Sequence, residues 1–312
     1  MARGTRRSFL KVAVAGAAAT ALPDILLGDE EDGLLGRLAH AGKAQTIAAN
    51  RFRVEVKGVY GSVAGVTAID VGRVDIQKVK TTQGDKPDYV SWTYGSHTYA
   101  PLTLRLQMGP GNVKIQKWAD KAMKIGGSGD ALRRDISVFL LAKDQSTVLG
   151  TLNAFGCYPT SLSGSGSDQT LKCHIDRIEE AVSTKPPGSA GRCASKLLRV
   201  SINGQPVPVQ SFRVGSQTNL ASVTAPAQIR LVNCMAPYDK VLAQAADQAG
   251  NKGLNERFTI TAKQLDKKGK VTATRVFDNC LITSLDWPVL GPSQKGAPVR
   301  IATFWPERVE TG

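Results

Sequence analysis

Three histidines and five cysteines are the scarcest and most chemically telling residues in this 312-residue sequence. Metal binding would need them at ligand spacing, and nucleophilic catalysis would need a Ser or Cys within reach of a base. The histidines are scattered: His40 precedes the first patterned segment, His97 reads as a loop residue, and His174 falls on the exposed face of a strand. Cys173 adjoins His174, but neighbouring strand residues point to opposite faces and cannot share a metal. The sequence contains no zinc spacing, no G-x-S-x-G elbow, no Walker loop and no G-x-G-x-x-G opening a helix. Ser163-Gly-Ser-Gly-Ser167 reads as a flexible hairpin loop, not a phosphate cradle. Glu179-Glu180 reads as solvated charge at an element end, and Asp144 and Asp266 read as turn residues. The residue inventory therefore predicts a protein that is not an enzyme and carries no cofactor or metal. A catalytic cleft assembled from distant segments is the dissenting alternative.

The cysteines bear on compartment. Cys157, Cys173, Cys193, Cys234 and Cys280 are odd in number, so at least one stays free or pairs between subunits. Cys193 sits in a linker and is the candidate for flexible or intermolecular pairing; the five also fit as small buried apolar side chains. At the N-terminus, Arg6 and Arg7 are followed by Phe9-Leu10-Lys11, then by small and apolar residues from Val12 to Leu22, with Ala19-Thr-Ala21 as an A-x-A cleavage site. This pattern resembles a twin-arginine export signal, read as residues 1–21, which implies the twin-arginine translocase as a partner and an exported protein of the periplasm or cell surface. If the signal is unused, a virion-like particle or the cytoplasm is the expected location. The apolar run is too short to span a membrane.

The chain can bury one large core or two smaller ones. Its formal charge is +14, and removal of Arg3, Arg6, Arg7 and Lys11 with the signal would leave 14 − 4 = +10. Such a surface favours anionic partners. The basic residues are dispersed over many strands, however, and mark no specific nucleic-acid site.

What must position everything else is a repeat. Arg134 to Leu162 recurs as Arg257 to Leu285 at a constant offset of 123, which places Arg134 on Arg257, Val148 on Val271, Cys157 on Cys280 and Leu162 on Leu285. Residues 50–182 and 196–312 read as two tandem β-domains, with 22–49 as a leader and 183–195 as a linker. Within the first, Phe52, Val54 and Val56 alternate, Gly58 and the run to Val71 suggest a hairpin, and Thr81–Asp88 reads as a polar loop. Leu102, Leu104, Leu106 and Met108 form a half-buried strand. Asn112 caps a helix carrying Trp118 that Gly126-Gly127 stops. In the second, Leu198–Ile202 turns at Asn203-Gly204, Ile229–Met235 answers Leu102–Met108, and Pro237–Ala249 answers the helix with Gly250 as its stop. The predicted fold class is mainly β: two antiparallel β-sandwich or barrel domains, each with one flanking helix.

Phe52-Arg-Val-Glu-Val-Lys-Gly58, Val63-Ala-Gly-Val66, Tyr99-Ala-Pro-Leu-Thr-Leu-Arg-Leu106, the Trp118 helix, and Arg133-Arg-Asp-Ile-Ser-Val138 before Asn153-Ala-Phe155 together resemble the tail-tube proteins of contractile phages and related injection systems. The second domain resembles a diverged copy. The resemblance implies sandwich or barrel subunits that join edge to edge into stacked rings, here a trimer or a hexamer of the chain, with other tube or baseplate components as partners. Family members are single-domain and are not exported, so an exported assembly repurposed at the cell surface is the expectation. The alternative is an exported binding module that presents loops such as Thr81–Asp88 and Ser163–Gln169 to glycan or protein.

Overall fold

In the computed structural model, the described residues are 48–311 except 59–62, 64, 84–85, 108, 110–111, 127–128, 183–192, 236–240 and 248–255. Residues 44–312 form a single compact unit. The signal residues Arg6, Arg7, Phe9, Leu10, Lys11, Ala19 and Ala21 lie outside the described residues, as do His40, nearly all of the leader, most of the linker and Gly250.

The fold is mainly β, as the alternating patterns require. In the first half, β1 (Phe52–Val56), β6 (Arg134–Leu141), β7 (Val148–Ser165) and β9 (Arg177–Val182) pair in that order. The far end of β7 continues into β8 (Asp168–His174), β5 (Leu102–Gln107) and β2 (Val66–Asp70). Inward Val54, Val56, Ile136, Val138, Leu152, Leu104 and Leu171 are all essentially inaccessible. Helix α1 (Val113–Ile125) lays Ile115, Trp118, Ala119 and Ala122 on this core, and the Trp118 indole donates to the Leu132 carbonyl at 2.7 Å. Gly126 ends α1 in the left-handed conformation. Asn112 occupies the cap position, but its amide donates backwards to the Gln107 carbonyl at 2.9 Å instead of capping the helix.

The second half repeats this plan. Strands β10 (Leu198–Ile202), β14 (Phe258–Leu265), β15 (Val271–Asp286) and β18 (Arg308–Thr311) correspond to β1, β6, β7 and β9. β17 (Val299–Trp305), β13 (Ile229–Cys234) and β12 (Val209–Val214) correspond to β8, β5 and β2. Even the bulges coincide: β2 slips against β5 between Val66 and Ala68, and β12 slips against β13 between Val209 and Ser211. Gly156 and Asn279, each immediately before a repeated cysteine, both hold positive φ, at 63° and 51°. α2 (Val241–Ala246) is shorter than the predicted second helix and buries Leu242 and Ala245.

Three readings of the sequence are corrected. The offset is not constant: β7 and β15 correspond at 123, but β6 and β14 correspond at 260 − 136 = 124, because Ile136 and Ile260 hold equivalent places opposite Ala154 and Phe277. The turn between the two strands is one residue shorter in the second half, and a one-residue slip exchanges the faces of a strand; aligning Arg134 with Arg257 would set buried Ile136 on exposed Thr259. Secondly, β1 and β2 do not form a hairpin with each other, since β1 pairs with β6 and β2 with β5. In the second half the Asn203-Gly204 turn does close a hairpin, of β10 with β11 (Gln205–Val207). Thirdly, Thr81–Asp88 is not a loop. It belongs to a long hairpin of β3 (Arg73–Gln83) and β4 (Lys86–Tyr99), which places His97 within a strand. β3 buries Val74 and Ile76, but this short alternation gives way to Lys78-Val-Lys-Thr-Thr-Gln83, too little to mark an 11-residue strand in the sequence.

Candidate assembly interface

The β3–β4 hairpin has no counterpart in the second half, where residues 215–228 fold back instead: Arg275 donates to the Ala221 and Val223 carbonyls at 2.9 and 2.8 Å, and Leu220 and Val223 are buried. The first half's hairpin reaches across the molecule. β3 adds to the outer edge of β15, with Asp75, Val74 and Arg73 opposite Ser284, Leu285 and Asp286. A two-residue strand, β16 (Val289–Leu290), adds to the outer edge of β2. The halves are thus joined by β-augmentation, in which backbone groups along two open edges satisfy each other.

Side chains fasten this joint. The Tyr94 hydroxyl donates to the Glu256 carbonyl at 3.2 Å and accepts from the Ile282 N–H at 3.1 Å. At Trp92 both backbone groups are held: its N–H donates to Glu307 Oε1 at 3.2 Å, and its carbonyl accepts from Arg257. Lys78 lies against two indoles, 2.9 Å from the Trp305 ring centre and 4.5 Å from that of Trp92; desolvation lowers its pKa. At the far side, Arg300 is wholly buried, donating to Glu180 of the first half at 2.7 Å and to Asn233 at 3.0 and 2.8 Å. Glu180 is therefore not the solvated charge its sequence suggests. Glu179 points outward to Arg177 at 2.9 Å, while Glu180 points in.

Burial drives the Tyr94 hydroxyl up to about 12 from its ordinary 10. Its folded pKa is the higher one, so its contribution to stability is complete below about pH 10 and disappears as pH rises through 12. Tyr94→Phe is expected to cost about 1–3 kcal/mol, because the Ile282 N–H loses its acceptor. It should also flatten the alkaline fall in stability between pH 10 and 12, measured by urea unfolding across that range.

Beside the joint lies a cleft of about 650 Å³ whose lining includes Asp70, Arg73, Asp286, Trp287 and Lys295. Arg73 bridges Asp75 and Asp286, the latter at 3.2 Å, and desolvation raises the Asp286 pKa. Its lining contains no histidine and no cysteine. Among the described residues, no group of three His, Cys, Asp or Glu gathers as a metal site would require, and no helix is long and apolar enough to cross a membrane.

The repeat positions Cys157 and Cys280 are both buried, and each thiol donates to a carbonyl three residues back, Ala154 and Phe277, at 3.3 Å. Burial pushes both thiols up to about 12. Leu285 is fully covered, whereas Leu162 is only partly buried. Cys173 is also free and buried, while Cys193 pairs with Cys234 within the chain, not between chains. His174 stacks on Tyr158 at 4.9 Å and meets Asp176 at 3.3 Å.

Sequence reasoning missed this joint. Its signal was the surplus length between Asp70 and Leu102, against the shorter stretch between Arg213 and Ile229 at the corresponding place.

Residues 48–170 match the family model of the T4-like virus tail tube protein gp19. No curated protein matches the sequence. Among solved structures, the chain is similar to the tube-terminating cap of the anti-feeding prophage, at 19% identity over 44% of this chain and 91% of that one, with a TM-score of 0.36. It is also similar to a protein of the sheath-tube complex of the extracellular contractile injection system PVC, at 18% identity over 47% and 96%, TM-score 0.37. Hcp1 from Flavobacterium johnsoniae is similar at 10% identity over 37% and 94%, TM-score 0.28.

Proposed function

We propose that this chain is a self-assembling structural protein, a tandem duplicate of a tail-tube module whose copies join into rings or a tube. The observation that carries the reading is the way the two halves meet. Two modules of one strand plan join head to tail, the first offering its β2 edge and β3, the second its β15 edge and β16. A joint that uses different surfaces on equivalent modules does not close on itself after two; repeated, it closes a ring or extends a filament. The tail-tube match over residues 48–170 supports this reading of the first module, and the shared registers and bulges of the second support a duplication. The two modules occupy residues 50–182 and 196–312, and three or six chains complete one closed assembly, alongside other tube or baseplate-like components.

The assembly works outside the cytoplasm. Arg6-Arg7 with Phe9-Leu10-Lys11 and the Ala19-Thr-Ala21 site supply an address read by the twin-arginine translocase, and the Cys193–Cys234 disulfide suits an oxidising compartment. Changing Arg6 and Arg7 to Lys is the corresponding test of export. For assembly, the measurement is light scattering after size exclusion, with negative-stain microscopy of the purified full chain. Rings or short tubes are expected at micromolar concentration; a monomer at every concentration would remove the reading.

A further inference from the structure

Resting on that ring-forming reading, we infer that the outer edge of β7 at Ser161–Ser163 is the seat for a second copy of this chain, which docks there with the segment that follows its own β12. The internal joint supplies the template. Along β15, Arg275–Phe277 lies between β14 and β18, and Ser284–Asp286 lies between β17 and β3. Along β7 the same accounting fails at one place. Gly150–Ala154 lies between β6 and β9, but Ser161–Ser163 pairs only with β8, and among the described residues no strand takes the other side. The bulges at Pro159/Ser161 and Ile282/Ser284 fix Ser161, Leu162 and Ser163 as the equivalents of Ser284, Leu285 and Asp286. An open edge of this kind is a standing template for pairing.

The surroundings of that edge match its occupied counterpart. The Arg257 and Glu307 pair that clasps the backbone of Trp92 is repeated as Arg133 and Asp176, an ion pair left on the surface. Trp305, which receives Lys78, is answered by His174 stacked on Tyr158. Arg300, whose partner Glu180 comes from the other half, is answered by Gln169, whose Oε1 is buried with no hydrogen-bond partner. Leu285 is sealed beneath β3, and Leu162 remains partly open. Each feature is an acceptor arrangement without the element that completes it in the second half.

The complementary surface is also on the molecule. β2 is covered at Ile69 and Asp70 by β16; its equivalent β12 pairs with β13 alone among the described strands. Gly72 and Gly215 follow these two strands at equivalent places, both with positive φ, 100° and 58°. The residues after Gly72 run along β15, so those after Gly215, Ser216 to Thr218, are the ones the template sets along β7. All three are exposed, held locally by one bridge between Val214 and Gln217 that docking exchanges for pairing with β7. The template then sets Ser161 of one copy opposite Thr218 of the next, as Ser284 lies opposite Asp75.

Cysteines at paired positions bring Cα atoms within disulfide range. In the full chain, the double variant Ser161→Cys, Thr218→Cys treated with a mild oxidant should give a ladder of disulfide-linked chains on a non-reducing gel, reversed by reductant. Each single variant and the parent should give none, and both singles should melt with the parent, as expected of small polar side chains outside the core. An oligomer by light scattering that yields no ladder from the double variant overturns this edge assignment and leaves the ring reading standing. So does cross-linking in Ser161→Cys alone, which would mean edges meeting face to face. A protein monomeric at every concentration takes down both.

Discussion

Arg300→Met is expected to destabilise the protein by about 3–5 kcal/mol, the cost of stranding a partner inside a buried ion pair. Arg300 has no solvent exposure, and its partner Glu180 has a side chain only 8% exposed. Once the guanidinium is gone, the Glu180 carboxylate loses its cationic partner at 2.7 Å, and the Asn233 side-chain oxygen loses the two donations it takes from Arg300. For a cooperative unit of this size the melting temperature should fall by on the order of 10 °C. The double variant Arg300→Met, Glu180→Met separates the explanations. If the loss comes from the stranded charge, the double variant should recover most of the stability, because an apolar pair of similar volume does well in a buried ion-pair site. A double variant as unstable as the single would mean that the packing around the guanidinium stem carries the energy. Calorimetry on parent, two singles and double completes the cycle.

The second large effect is redox. Cys193 and Cys234 are joined across a sequence separation of 41, and they tie the start of the second half to the end of β13. In the loop-entropy account a bridge over a loop of this length is worth about 4 kcal/mol. Reduction of the parent should lower its denaturant midpoint, and Cys193→Ser should show the same loss without any further response to reductant. The free thiols of Cys157, Cys173 and Cys280 are buried, with pKa values raised by desolvation, so they stay inert in the native state. An undiminished midpoint on reduction would mean the bridge constrains little in the unfolded chain.

Much of the architecture was legible because burial writes itself into alternation. Phe52-Val54-Val56, Leu102-Leu104-Leu106 and the Ile115-Trp118-Ala119-Ala122 face of α1 all lie where their periods place them. The repeat was readable through β7 and β15, and less so through β6 and β14, since a turn one residue shorter cannot be located from strands that share few identical residues. The joint was not legible at all. β3 is rich in Lys, Thr and Gln beyond Ile76, and β4 mixes Tyr and Trp with Ser and Thr, so their local pattern does not reveal that they pack on the other module. Glu180 looked solvated for the same reason: its partner sits 120 residues away, and only the folded chain brings the two together. Cys193 likewise gave no sign of Cys234.

One long hairpin per two modules has a mechanical outcome for anything built from this chain. The hairpin is already spent within the polypeptide, so any larger structure would carry two alternating kinds of seam. One is covalently continuous, clasped by Tyr94, Arg257 and Glu307 and bolted by Arg300. The other, on the docking inferred above, would be formed by shorter segments. Under dilution or load, such a structure parts at every second seam and releases whole chains, with the clasped seams intact.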